Sequence, residues 1–277
     1  MTHLSRRSLL TGAFALSAAP AFGKDEGDIK LTGSFTQGGL VVGRGAPGLR
    51  VTFEDRPLSV SSSGLFALGF GRDHGPEATL TLVHKGGKKE TRTLAVAQRT
   101  FDIQRIDGLP EDMVTPPPEA MAQIERDIKI VAEARARDTK HDWFADTFEW
   151  PALGIISGVY GSQRVLNGKP KQPHFGVDIA QPEGTPIKAP VSAIVSVAEP
   201  AMYYTGGTVL LDHGHGISTS YLHMSRLDIK VGDEVKQGQV IGAIGKTGRA
   251  TGPHLCWRLN WFQERLDAQL AAGPMPS

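Results

Sequence analysis

Short hydrophobic runs separated by turn-forming residues fill the first third of the chain. Each run is three to six residues long and rich in valine, leucine, phenylalanine and threonine, which is typical of β-strands. The runs span Leu40–Val42, Leu49–Phe53, Leu65–Leu68 and Ala78–Val83. Pairs such as Pro47-Gly48 and Ser63-Gly64 lie between them and favour tight turns. This spacing predicts an antiparallel β-sandwich domain over residues 24–112.

An amphipathic helix is predicted directly after the prolines of residues 116–118. The apolar positions that follow recur at spacings of four and three, which is the period of one helix face. They are Ala120, Ile124, Ile128 and Val131. Thr115 is placed to cap the first turn, and the helix is expected to end near Arg137. We therefore predict a linking helix within residues 116–140, on the surface between two domains.

Strand-like runs return in the second half of the chain. They span residues 191–197, 207–211, 217–223, 240–244 and 254–261. Glycine and proline separate nearly all of them, and no long helix is predicted before the tail. The predicted fold class is therefore mainly β, with an N-terminal antiparallel sandwich, a linking helix and a C-terminal antiparallel β domain over residues 143–265.

Length and composition narrow the class of protein. The 277 residues suggest two domains at about 150 residues each. The formal net charge of +1 gives no field that would attract nucleic acid. The longest apolar run, about a dozen residues near the N-terminus, is too short to span a membrane as a helix. The single cysteine excludes an internal disulfide and every Cys-x-x-Cys metal site.

The first 21 residues resemble an export signal. The stretch from Ser5 to Leu10 contains Arg6 and Arg7 in tandem, an apolar stretch follows, and Ala19-Pro20-Ala21 fits a small-x-small cleavage site. This order predicts a twin-arginine-type signal peptide over residues 1–21 and a mature protein that works in the periplasm. An amphipathic or disordered N-terminus is the alternative.

Five polar residues of the C-terminal domain are candidates for chemistry. His174 and Asp178 are four residues apart and His254 and Cys256 are two apart, so each pair shares a face in an extended segment. His223 closes a predicted strand. A histidine, a carboxylate and a third nitrogen or sulfur ligand can hold zinc and leave one position for water. The remaining histidines are then available as base and oxyanion stabiliser, although each residue taken singly is also compatible with a structural role.

A second histidine pair, His213 and His215, also has the spacing of a metal-binding pair. Glycines flank both residues, so we assign them to a turn and not to the candidate site.

The stretch from about Gly158 to Asn260 resembles the M23 zinc metallopeptidases, the lysostaphin or LytM-type family. The similar motifs, in the family's order, are residues 160–164, 174–178, 186–190, 212–214, 221–223, 232–235 and 248–254. The resemblance implies a small antiparallel β barrel-like fold and cleavage of peptide bonds in cell-wall peptidoglycan.

The resemblance also implies roles for the five candidates. His174 and Asp178 correspond to zinc ligands, and position 256 corresponds to the third ligand. His254 corresponds to the catalytic base. His223 corresponds to the histidine that stabilises the transition state. Residues 143–265 would then form the peptidase domain, with a peptidoglycan peptide as substrate.

The sequence departs from the family pattern at Cys256, where the pattern has histidine. A cysteine thiolate can bind zinc, but it reduces the formal charge of the site from +1 to 0 and makes the metal a weaker Lewis acid. One alternative is that Cys256 is a small buried residue in an inactive site. The protein would then be a regulator, as in some relatives of the family, that binds or activates other cell-wall enzymes, namely amidases. A lipoyl-like carrier domain is a further alternative, because residues 231–239 resemble its turn repeats, but no modification consensus surrounds Lys246.

Overall fold

The computed structural model describes residues 29–108 and 114–276. The predicted signal peptide over residues 1–21 lies outside the described residues. As predicted, the described part is mainly β, and its principal helix lies between two groups of strands. No helix within these two ranges is both long and apolar enough to cross a bilayer.

Seven of the eight N-terminal strands form two antiparallel sheets, whereas the last, Ile103–Ile106, pairs in parallel with residues 163–166 and lies outside the predicted sandwich. The strands are β1 (Lys30–Gly33), β2 (Leu40–Arg44), β3 (Arg50–Phe53), β4 (Arg56–Leu58), β5 (Leu65–Gly69), β6 (Glu77–Val83), β7 (Lys89–Ala95) and β8 (Ile103–Ile106). One sheet has the order β1-β2-β5 and the other β4-β3-β6-β7. Buried side chains of both sheets, such as Val41 and Leu80, belong to one hydrophobic cluster, so the two sheets share a core.

A single turn of 3₁₀ helix (Pro118–Ala120) leads into helix α1 (Met121–Arg135). The expected cap by Thr115 is wrong, because Pro117 precedes the 3₁₀ turn and no side chain caps it. The predicted apolar stripe is also wrong at Ile128, which is 63% exposed. Asp127 takes the buried position beside it and accepts a hydrogen bond from the Tyr203 backbone at 2.7 Å, so the packed face is rotated by about one residue.

The C-terminal strands form one large sheet and two small ones. They are β9 (Ile155–Gly158), β10 (Gln163–Leu166), β11 (Lys169–Pro170), β12 (Val177–Ala180), β13 (Pro186–Lys188), β14 (Ala193–Met202), β15 (Gly206–Gly214), β16 (Ile217–Met224), β17 (Arg226–Leu227), β18 (Glu234–Val235), β19 (Val240–Ala243), β20 (His254–Trp261) and β21 (Glu264–Leu266), followed by helix α2 (Ala268–Ala272). The large sheet has the order β18-β14-β15-β16-β20-β12-β9, with β21 paired to β20.

The large sheet is open, and the strands of the described residues form no closed barrel. Its ends are β18 and β9, which do not pair with each other. A barrel needs its two edge strands to meet. The implied barrel-like form is therefore corrected to an open sheet whose central strands β15 and β16 are buried along their whole length.

His213 is a strand residue and not the turn residue we expected. It lies in β15 with a fully buried ring, where Nδ1 is 3.0 Å from the Ser192 carbonyl and Nε2 is 2.8 Å from the Thr219 hydroxyl. Burial lowers the pKa of His213 to about 4, so the ring is neutral at pH 7. His215 does lie in the turn, with a φ of 51°.

The two groups of strands pack against each other through a buried ion pair and aromatic contacts. Arg99 Nη1 lies 2.9 Å from the Asp267 carboxylate, whose side chain is 4% exposed. The same carboxylate accepts a hydrogen bond from the Gln269 backbone and caps α2. Nearby, the rings of Phe53 and Trp261 meet edge to face at 5.7 Å. Asp267 therefore connects the N-terminal sheets with the end of the chain.

We expect Asp267→Ala to lower the free energy of unfolding by about 1–3 kcal/mol, because it removes a helix cap and leaves Arg99 without its buried partner. Urea unfolding measures this change. The matched control is Asp228→Ala, which removes the exposed partner of Arg226 and should change stability little. Equal losses in the two variants would contradict the importance of the Arg99–Asp267 contact.

Candidate metal centre

The pairing of β12 with β20 places a carboxylate beside a thiol. The two strands are antiparallel, and their register sets Asp178 opposite Cys256 and Ala180 opposite His254. Directly opposed residues of an antiparallel pair project from the same face with Cβ atoms about 4.5–5.5 Å apart. The side chains of Asp178 and Cys256 therefore extend together from one face of the large sheet.

His174 reaches the same point from the segment that leads into β12. Its backbone is held by hydrogen bonds with Ser162 and Gly161. Its Nε2 lies 3.0 Å from Asp178 Oδ1 and 3.4 Å from Cys256 Sγ. The three candidate ligand atoms all lie within 4.8 Å of one another. The structure thus brings together the three residues that the sequence predicted as ligands.

In its neutral form, the ring of His174 directs the lone pair of Nε2 toward this point. Its Nδ1 lies 3.2 Å from the Val159 carbonyl, which can only accept, so Nδ1 carries the proton in the neutral ring. Burial alone lowers the pKa of His174, but the Cys256 sulfur and the Asp178 carboxylate outweigh it and raise that pKa to about 9. The convergence of electron-rich atoms therefore favours a cation between them.

The three residues fit a metal ion. All are buried, and Asp178 Oδ1 accepts no well-directed hydrogen bond, so it has coordination capacity to spare. The ligand atoms of a tetrahedral ion such as zinc lie about 3.3–3.6 Å apart at usual bond lengths, close to the 3.0 and 3.4 Å observed. Residues 29–108 and 114–276 add no fourth side chain to this group, and three protein donors are typical of a site that keeps one position open.

Two further imidazoles border the centre with the same protonation. His254 Nδ1 lies 2.8 Å from the Gly252 carbonyl, and His223 Nδ1 lies 2.8 Å from the Thr247 carbonyl. In the neutral rings, both Nε2 atoms are therefore hydrogen-bond acceptors. The ring centroids are 4.7 Å apart, and His254 Nε2 is 3.9 Å from Asp178 Oδ1. All five predicted site residues thus lie together.

The ring of His223 is neutral at pH 7. Burial is the main cause that lowers its pKa to about 4, and the charges of His254 and Arg258 lower it further, although the hydrogen bond to the Thr247 carbonyl opposes them. Its backbone is unusual as well, with a φ of 66°. Left-handed backbone at a non-glycine residue is costly and is concentrated at functional sites.

An irregularity of strand pairing aims His223 at the centre. The register between β15 and β16 shifts between Gly207 and Val209, opposite the end of β16. The His223 N–H donates to the Thr205 carbonyl at 2.8 Å, outside the regular ladder. Such bulges redirect a side chain next to active sites.

Comparison with known proteins shows that the region around this centre matches a known family. Residues 172–268 match Peptidase family M23. The chain contains an M23 peptidase domain. Peptidoglycan DD-endopeptidase ShyA of Vibrio cholerae is 40% identical over 105 residues, which cover 38% of this chain and 24% of ShyA. DD-carboxypeptidase/endopeptidase Mpg of Neisseria meningitidis is 40% identical over 103 residues, 37% of this chain and 24% of Mpg.

The structural comparison reaches beyond the M23 domain. A crystal structure of an M23 peptidase from Pseudomonas aeruginosa covers 87% of this chain and 96% of its own, with 26% identity and a TM-score of 0.66. Its fold therefore includes much of the region before residue 172. The curated relatives are longer, and this chain matches about a quarter of their length.

Two arginines contact the candidate ligands and were not identified as site residues from the sequence. Arg164 Nη2 lies 3.3 Å from Asp178 Oδ2, and Arg258 Nε donates to Cys256 Sγ at 3.5 Å. Arg258 is two positions beyond Cys256 in β20, so strand alternation predicts that the two share a face. No comparable spacing relates Arg164 to Asp178, because β10 belongs to another sheet.

The absence of a side chain at Gly176 leaves room for the sulfur of Cys256. A Cβ atom at this position would lie 3.1 Å from Cys256 Sγ and 2.8 Å from the Trp257 carbonyl oxygen. The sulfur and the backbone of β20 therefore approach the chain here only because residue 176 has no side chain.

We expect Gly176→Ala to weaken binding of a divalent metal ion at least tenfold, because the added methyl group displaces the sulfur from the other two ligands. Titration with cobalt(II), followed by absorbance, measures the affinity. The control is Gly252→Ala, two residues from His254, where a Cβ meets no atom within 4 Å. Unchanged affinity in Gly176→Ala would show that Cys256 does not bind the metal.

Proposed function

We propose that the protein is a zinc metalloendopeptidase that hydrolyses peptide cross-links of bacterial cell-wall peptidoglycan. The observation that carries this proposal is the convergence of His174, Asp178 and Cys256 beside two imidazoles whose Nε2 atoms can accept a proton. The names of ShyA and Mpg, which describe peptidoglycan and DD-peptide cleavage, support this substrate class.

We also propose the organisation that this function requires. Residues 1–21 would direct export by the twin-arginine route, and the mature protein would act in the periplasm, where peptidoglycan is found. Residues 24–112 would form the β-sandwich domain, 116–140 the linking helix and 143–265 the peptidase domain. The match of residues 172–268 to family M23 lies within the region assigned to the peptidase domain, apart from its last three residues.

His174, Asp178 and Cys256 would hold the zinc. When bound, zinc supplies a Lewis acid for the scissile carbonyl and lowers the pKa of a bound water. A thiolate ligand weakens this effect, but Arg258 partly offsets the loss, because its Nε–H donates to the sulfur and withdraws negative charge from it. Arg164 acts in the same direction on the carboxylate of Asp178.

His254 is proposed as the general base. Its Nδ1–H is fixed on the Gly252 carbonyl, so its Nε2 is free to take the proton of the attacking water. Its place beside Asp178 keeps this nitrogen next to the metal ligands.

His223 is proposed to act on the oxyanion, as the family resemblance implies. This role needs a proton on Nε2, which the neutral ring lacks because its proton is on Nδ1. In the resting state, Nε2 of His223 would accept a hydrogen bond from the attacking water. It becomes a donor to the oxyanion only after the ring has received a proton.

We expect His254→Ala, loaded with zinc, to release amines from isolated cell walls at least 100-fold more slowly than the wild type, because it lacks the base. Amine release over time measures the reaction. His84→Ala, which removes a histidine that pairs with Glu90 among the N-terminal strands, far along the chain from the five candidates, should keep wild-type activity.

Equal amine release by the wild type and His254→Ala would contradict the proposed enzymatic function. If the wild-type protein also purified without stoichiometric zinc, that result would favour the regulator, which binds or activates other cell-wall enzymes.

A further inference from the structure

A cavity separate from the metal centre lies on the same face of the large sheet. Its volume is about 230 Å³, and it lies between α1 and strands β15, β16 and β20. Arg135 of α1, Arg258 of β20 and Arg265 of β21 all line it, together with Ser220 and Leu222 of β16. Three arginines thus border one small cavity beneath the helix.

Strand register connects this cavity to the metal ligands. Leu222 is paired with Cys256, and Ser220 is paired with Arg258. Residues two apart in a strand share a face, so Cys256 and Arg258 both extend toward the side covered by α1. The guanidinium that donates to the ligand sulfur is therefore also part of the cavity wall. The candidate ligand Cys256 and the cavity are therefore adjacent on one face of the sheet.

The cavity wall is rich in donors that lack acceptors. Arg135 is 95% buried, and its Nε has no hydrogen-bond partner in the described part of the chain. The same is true of Arg265 Nη1 and the Ser220 hydroxyl. None of the three arginines forms an ion pair with a described carboxylate. Asp127 also lines the cavity, but its carboxylate already accepts from the Tyr203 N–H and from Arg126.

Burial of the charged side chains of Arg135 and Arg265 without an ion-pair partner among the described residues costs free energy of folding. Desolvation is the main cause that lowers the pKa of Arg135, and the neighbouring charges of Arg265 and Arg258 lower it further. The position of Arg135 in the last turn of α1 compensates only in part, through the helix dipole. A ligand that offers only acceptors and a negative charge would supply the kind of partner that these donors lack. A carboxylate has this chemistry and forms bidentate pairs with arginine.

We propose that this cavity binds a carboxylate of the peptide substrate and so positions a neighbouring peptide bond over the metal centre. The inference rests on the proposed peptidase function and adds a specificity site to it. The carboxylate has two sources in a peptide of this kind, namely the chain terminus or an acidic side chain. Both place the same acceptor among Arg135, Arg265 and Ser220.

The test measures binding of small probes to the zinc-loaded full chain by isothermal titration calorimetry at low salt. N-acetyl-D-alanine offers a terminal carboxylate, and N-acetyl-D-glutamic acid α-amide offers only a side-chain carboxylate. N-acetyl-D-alaninamide is the neutral reference. We expect at least one acid to bind tenfold or more tightly than the reference, and the stronger acid identifies the source.

Arg135→Gln should reduce this preference to threefold or less while keeping the thermal midpoint at or above that of the wild type, because an unpaired buried charge is removed. Arg126→Gln, on the exposed side of the same helix, should keep the preference. If Arg135→Gln fails to fold, Arg265→Gln carries the same expectation.

Two results would overturn the proposal: no acid preference in the wild type, or an unchanged preference in Arg135→Gln, which would assign the preference to the metal. If the protein hydrolyses peptidoglycan but shows no preference for the acids, the cavity proposal is contradicted and the peptidase function is not. Acid preference that depends on Arg135, without any hydrolysis, supports the cavity and contradicts the peptidase function.

Discussion

The antiparallel register of β12 on β20 is the constraint on which the rest of the structure depends. It sets Asp178 opposite Cys256 on one face of the large sheet, and His174 then needs only the short extended segment before β12 to reach them. Side chains alternate with a period of two, so a slip of one residue would turn one ligand to the opposite face. The bulge that aims His223 and the absent side chain of Gly176 are adjustments around this fixed pair.

The same face explains how chemistry and recognition can be adjacent. Cys256 and Arg258 are neighbours on one strand face, so Arg258, which lines the cavity, also contacts the sulfur of the candidate metal centre. The N-terminal sheets do not supply any of the metal ligands. They contribute by packing against β20 and β21, as in the contact between Phe53 and Trp261. Helix α1 closes the cavity from the other side, through Ala134 and its neighbours against Leu210.

Alternation and turn signals in the sequence predict most strands, and they single out five candidate residues that the structure places close together. The family pattern was needed to predict Cys256 and not His254 as the third ligand, since spacing alone allows both. Features that depend on packing escaped prediction. Ile128 is exposed because Asp127 bonds to Tyr203, and His213 is buried because Thr219 and Ser192 satisfy its ring. Arg135 joins the cavity only because of where α1 lies on the sheet.

The ligand set itself is the central claim, and X-ray absorption at the zinc edge of the metal-loaded full chain tests it most directly. We expect one sulfur scatterer at about 2.3 Å together with nitrogen and oxygen scatterers at about 2.0–2.2 Å. The sulfur signal should disappear in Cys256→Ser. A wild-type spectrum that contains only nitrogen and oxygen scatterers would contradict it.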